Sequence, residues 1–89
     1  VSVPEGGVQQ VEIRVSMGLW PYLASKPLHG SQKVLRKDKE TVTIGLTIKL
    51  NYEIQSVLLS YGEELEVLAP AELRTTLRER ALALAKHYR

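Results

Sequence analysis

Between Thr41 and Leu50 every second residue is aliphatic, with Val42, Ile44, Leu46, Ile48 and Leu50 alternating with Thr41, Thr43, Gly45, Thr47 and Lys49. Successive side chains of an extended chain point to opposite faces, so this run predicts a strand with one apolar face and one polar face. A helix would spread the same residues around its whole circumference and bury none of them well. A lone strand does not persist in water, and the rest of the chain must supply neighbours for its edges and a cover for its apolar face. One face packs, and the other is available.

The partners can be read along the chain. Val11, Ile13 and Val15 alternate with Glu12 and Arg14, the period of a first strand with one buried face. Ser16 can cap a short helix in which Leu19, Trp20, Tyr22 and Leu23 supply apolar cover; Pro21 fits its first turn and Pro27 ends it. Gly30 to Lys37 reads as a second strand, joined to the Thr41–Leu50 strand by the polar turn Lys37-Asp38-Lys39-Glu40. Asn51 is a good amino-terminal cap for a helix with Ile54, Val57, Leu58 and Tyr61 at i, i+3, i+4 and i+7, and Gly62 offers a left-handed exit. Leu65 to Leu68 alternates as a short fourth strand, and Pro70 opens a last helix with Leu73, Leu77, Ala81, Leu84 and Tyr88 in one stripe.

The order is βαββαβ followed by a helix. It predicts an α+β fold of the ferredoxin-like type, four antiparallel strands carrying two helices on one face, with an additional carboxy-terminal helix. That helix can cover part of the open face, cross to a second subunit or project. Its Ala- and Leu-rich stripe favours packing on its own sheet. Residues 1–10, with Pro4 and Gly6-Gly7, read as linker, and residues 11–89 as one domain, since 89 residues hold a single core. With neither an initiator Met nor a signal peptide at its start, the chain is expected to be a piece of a longer protein.

Composition narrows the function. No apolar run approaches the roughly 20 residues that a bilayer helix needs, so no membrane association is expected. Without Cys there is neither a disulfide framework nor a thiolate metal site, which suits the cytoplasm. A net charge of +2 is only mildly basic. The clusters Lys33 to Lys39 and Arg74 to Arg89 are interrupted by carboxylates and read as solvated faces.

Catalytic patterns are lacking. There is no Gly-rich phosphate loop and no His and Glu at zinc-site spacing, so neither cofactor nor metal is expected. His87 reads as a cation near a helix carboxy terminus. His29 and Ser31 can share a strand face, but no orienting acid accompanies them, and a polar hydrogen-bonding cluster is the better reading. Related sheets bind single strands through aromatics on their central strands. Here Phe is absent, and Trp20 and the tyrosines fall on helices or their edges, where core packing is expected. Arg14, His29, Ser31, Gln32 and Arg36 remain as candidates for gripping a ligand or a phosphate.

The segment Pro27-Leu28-His29-Gly30-Ser31-Gln32 resembles the Pro-Leu-His-x-Ser-Gln stretch of the carboxy-terminal extension (WCX) domain of WYL-containing bacterial transcription regulators. Further pieces match in order: Asn51-x-Glu53-Ile54 at a helix opening, Leu59-x-x-Gly62 at its exit, and Glu66-Val67-Leu68-x-Pro70 with Leu73-Arg74 at the last strand and helix. Asp38-Lys39 stands where Asp-Gly is frequent, which bears only on the type of turn. The resemblance covers nearly everything after residue 10.

It implies a regulator with a winged helix-turn-helix, a central WYL domain that senses a ligand, single-stranded nucleic acid among the candidates, and this ferredoxin-like extension contributing to dimer assembly and to the ligand site. The partners so implied are the WYL domain of the same chain or of a second subunit, in a homodimer. A sensory and dimerisation module is therefore the leading expectation, with no enzymatic activity. The alternative is a small-molecule regulatory domain of the ferredoxin-like, amino-acid-sensing type, of whose Gly-rich turn Ser16-Met17-Gly18 is only an echo.

Overall fold

The computed structural model describes residues 8–88. Residues 1–7 of the expected linker, and Arg89 of the second basic cluster, lie outside them. The elements run β1 (Val8–Ser16), α1 (Trp20–Ser25), β2 (Lys33–Lys37), β3 (Thr41–Lys49), α2 (Tyr52–Leu59), β4 (Leu65–Ala69) and α3 (Ala71–Ala85), with a 3-10 turn at Gly62–Glu64. The strands form one antiparallel sheet in the order β2-β3-β1-β4, the expected ferredoxin-like arrangement with an added carboxy-terminal helix.

β1 and β3 pair along their whole lengths, from Val8 opposite Lys49 to Ser16 opposite Thr41. In this register Val11, Ile13 and Val15 fall beside Leu46, Ile44 and Val42, all completely or almost completely buried. Burying an aliphatic side chain of this size contributes about 1.5–3 kcal/mol. Leu23 of α1, Leu58 of α2 and Leu73 of α3 press on the same cluster, so the helices lie on that face of the sheet. Strand β1 begins at Val8, ahead of the alternation that starts at Val11, because Val8, Gln9 and Gln10 find partners in Lys49, Ile48 and Thr47.

The connections follow their local chemistry. Ser16 Oγ accepts the Leu19 N–H at 3.1 Å and leads into α1. The side chain of Asn51 accepts the Ile54 N–H at 2.8 Å and caps α2. After α2, Gly62 takes φ +61°, a left-handed conformation that costs a Cβ-bearing residue free energy.

Three expectations need adjustment. β2 starts at Lys33, because Gly30 to Gln32 form a turn. Tyr22, Tyr52 and Tyr88 are exposed, and only Trp20 and Tyr61 lie against the core. The last helix also packs on its own sheet only in its first half: Leu73 is buried and Leu77 half-buried, while Ala81, Leu84 and Tyr88 are exposed. β4 has five residues, so the sheet edge it offers is shorter than α3, about 22 Å long at 1.5 Å per residue.

Candidate functional site

The five residues singled out by sequence fall into two separate groups. The first is the loop between α1 and β2. Gln32 spans it with both ends of its amide: Nε2 donates to the Leu23 carbonyl at 3.1 Å and Oε1 accepts the Leu28 N–H at 2.7 Å. It thereby satisfies a carbonyl in the last turn of α1 and an amide in the loop, groups that are costly to leave without partners. Ser31 pairs with the next exposed stretch of β3: Oγ accepts the Thr47 N–H at 2.9 Å and donates to the Thr47 carbonyl at 3.1 Å. This hydroxyl stands where β2, paired no further than Lys33 with Gly45, supplies no backbone partner. His29 completes the loop, its Nδ1 2.8 Å from Ser31 Oγ and accepting the Ser31 N–H at 3.1 Å. Loop closure is what these bonds accomplish.

The second group lies on the sheet face away from the helices. Directly paired residues on neighbouring strands share a face, and Arg36, Thr43, Arg14 and Glu66 are paired in that order across β2, β3, β1 and β4. Arg74 extends the row from α3. Arg14 Nη2 meets Glu66 Oε1 at 2.6 Å, and Arg74 Nη1 lies 3.4 Å from Glu66 Oε2 while donating to the Val67 carbonyl at 2.8 Å. The hydrogen bond from Arg14 holds the Glu66 carboxyl below its ordinary range, with Arg74 adding a smaller effect and partial burial opposing both. One carboxylate therefore orients two guanidiniums. Arg36 has no ion-pair partner among the described residues.

The face around this row is polar and no helix covers it, but Thr43 itself is buried, only 6% exposed, between its neighbours on β2 and β1. Gln10, Glu12 and Arg14 of β1 and Thr47 and Lys49 of β3 are exposed or half-exposed. Its apolar side chains include the exposed Val8, opposite Lys49, and Leu35, which occupies a β-bulge and rests on Gly45, where an added Cβ would stand 3.1 Å from it. His29, Ser31 and Gln32 are not part of the row. Ser31 meets β3 at Thr47 and Arg36 meets it at Thr43, four residues apart, or about 13 Å along a strand.

Glu66, Thr43 and Arg74 join the site without having been singled out by sequence: the strand register places Thr43 and Glu66 beside Arg14, and the bonds to Glu66 and the Val67 carbonyl bring Arg74 to them from α3. Arg80 is a further arginine with a defined place: its guanidinium lies 4.3 Å from the centre of the Tyr52 ring and bonds Gln55 Oε1 and Ser56 Oγ at 3.2 Å each, tying α3 to α2. Two hollows lie in the surface of the described residues. A groove of about 640 Å³ runs between the end of α2, β4 and α3, and a smaller pocket of about 360 Å³ lies beside Leu28, His29 and Ile54. Among the described residues no three His, Asp or Glu side chains stand close enough together to hold a metal ion. None of the described helices is long and apolar enough to cross a membrane.

The family model of the WCX domain matches residues 7–85 of the chain. No curated protein matches it.

Replacing Gln32 with Ala leaves the Leu23 carbonyl and the Leu28 amide without their partners. It is expected to destabilise the fold by about 1–3 kcal/mol in urea denaturation, by the cost of unpaired polar groups. Glu66 gives a pH signature. Its folded-state pKa is depressed, so its contribution is fully present above the unfolded carboxylate pKa of about 4.3 and is lost as pH falls through the lower folded value. The pair is about half exposed, and the contribution is at most about 1 kcal/mol. The stability gap between the native chain and Glu66→Gln, followed by denaturation from pH 7 downward, is expected to hold down to about pH 4.3 and to narrow as pH falls further.

Proposed function

The chain belongs to the WCX domain family, domains associated with WYL-type regulators, and on that premise we propose that it is the carboxy-terminal sensory and association module of a bacterial transcription regulator. It acts by binding, in the cytoplasm, within a homodimer whose WYL domain, from the same chain or from the second subunit, meets this module. Its open sheet face contributes to the site of an anionic effector bearing phosphates, single-stranded nucleic acid being the chemistry that fits best.

One observation carries this reading: the row of Arg36, Thr43, Arg14, Glu66 and Arg74 across a sheet face that no helix covers. Three guanidiniums against one carboxylate leave the row cationic. A guanidinium has five N–H donors, so Arg14 keeps donors to spare after binding Glu66, and Arg36 keeps all of its own for a ligand. Thr43 lies between the two but is buried, so the guanidiniums are the groups that reach a ligand. Residues Arg14 and Arg36 are separated by two strand spacings, roughly 10 Å, which lets them contact successive groups of an extended anionic chain. No aromatic side chain stands on this face, so grip on the backbone, rather than stacking on bases, is the mode it supports.

His29, Ser31 and Gln32 serve this function by holding the start of β2 against β3, which places Arg36 in the row. They are positioning residues in this reading.

The test is oligonucleotide binding by the full-length regulator as a function of salt. Arg36→Ala is expected to weaken binding of a single-stranded oligonucleotide and to lower the slope of log K against log salt by about 0.7, the value for one lost single-strand phosphate contact. An unchanged slope and affinity in a normally folded variant would remove the open face from the effector site.

A further inference from the structure

The groove along α3 is apolar at its base and charged at its rims. Leu58, Leu65 and Leu77 line its depth, and the unburied half of α3 adds Ala81 and Leu84 to one wall. Four charged side chains border it: Glu63, Glu66, Arg74 and Arg78. Glu66 and Arg74 are bound to each other. Glu63, on the 3-10 turn, and Arg78, on α3, are both exposed and form no ion pair among the described residues. One wall thus carries a free carboxylate and the other a free guanidinium.

We propose that this groove receives α3 of a second copy of this chain, the two helices lying antiparallel about a two-fold axis. A two-fold contact requires that where residue i meets residue j of the other copy, j also meets i. Glu63 and Arg78 satisfy that requirement on one surface: Glu63 faces Arg78 of the second copy, and Arg78 faces its Glu63. The later turns of α3, at Arg78, Ala81 and Leu84, line the same groove as Gly62 and Glu63 of the 3-10 turn. The two-fold then brings the Arg78 side of the second helix to the Glu63 rim. Ala81, small and near the middle of the exposed stretch, lets the helix axes approach closely, and Leu77 and Leu84 one turn to either side fill the apolar base. Arg80 points away from the groove to Tyr52 and Gln55, and it keeps α3 fixed to its own domain while the other face is covered.

The inference rests on the association half of the function proposed above and names its surface; it is independent of the effector half. The test is light scattering and sedimentation of the chain over a concentration series, with Glu63→Arg, Arg78→Glu and the double exchange. Both side chains are exposed, so the variants leave the core intact, which circular dichroism checks. The native chain is expected to dimerise with rising concentration. Each single exchange sets like charges against each other at both ends of the contact and is expected to weaken the dimer about tenfold or more. The double exchange is expected to restore it. A chain monomeric at every concentration, or a dimer that neither single exchange weakens, overturns the proposal. A monomer whose groove becomes protected only within the full-length regulator also overturns it, and assigns the groove to another domain. Oligonucleotide binding by the single-exchange variants, retained in each case, separates a failure of this contact from a failure of the open face.

Discussion

The pairing of β1 with β3 decides nearly everything else in this molecule. Nine residues of each strand are in register, and their aliphatic residues fall on one side. A slip of one residue would turn Glu12 and Arg14 toward the helices and Ile13 toward solvent, a change that no rearrangement of the neighbours offsets. The register is therefore fixed by hydrophobic burial, and the polar face is fixed with it. Arg14 comes to lie beside Thr43 because Ile13 has to lie beside Ile44. The arginine row is thus a consequence of the core, set by the same alternation read from its other side.

Once that pair is in place, the two outer strands need different devices. β4 is held by β1 on one side and by α3 on the other, through Leu73, the Arg74 bond to Val67 and the bridge from Arg14 to Glu66. β2 is short and exposed along its length, with Lys33, Arg36 and Lys37 discouraging a foreign strand from adding to the edge. What it lacks in burial is made good by the preceding loop, where Ser31 pairs with Thr47 and Gln32 joins the end of α1 to the loop backbone. Buried apolar surface sets the sheet, and hydrogen bonding places its edge.

The parts legible in the sequence were those governed by periodicity and by local capping. The alternations of β1 and β3, the apolar stripe and Asn51 cap of α2, and the Pro70 start of α3 all depend on residues near one another in the chain. The arginine row depends on residues such as Arg14 and Glu66, 52 positions apart, and nothing local indicates that they meet. Sequence singled out Arg14 and Arg36 but grouped them with His29, Ser31 and Gln32 by their charge and hydrogen-bonding capacity, which says nothing of the separation along β3 between Thr43 and Thr47. Helix α3 misled for the opposite reason. Its stripe is continuous to Tyr88, but a stripe records which face is apolar, not how much sheet is there to cover it.

Central to the account is the division of the sheet into a face that makes the fold and a face that meets an anionic effector. It is tested most directly by nuclear magnetic resonance of the isotopically labelled chain titrated with a short single-stranded oligonucleotide. The account predicts that signals of Arg14, Arg36, Thr43 and Thr47 shift together and saturate, while those of Leu23, Leu58 and the helix surfaces stay in place. Shifts confined to the helix side, or none at any concentration, would contradict it.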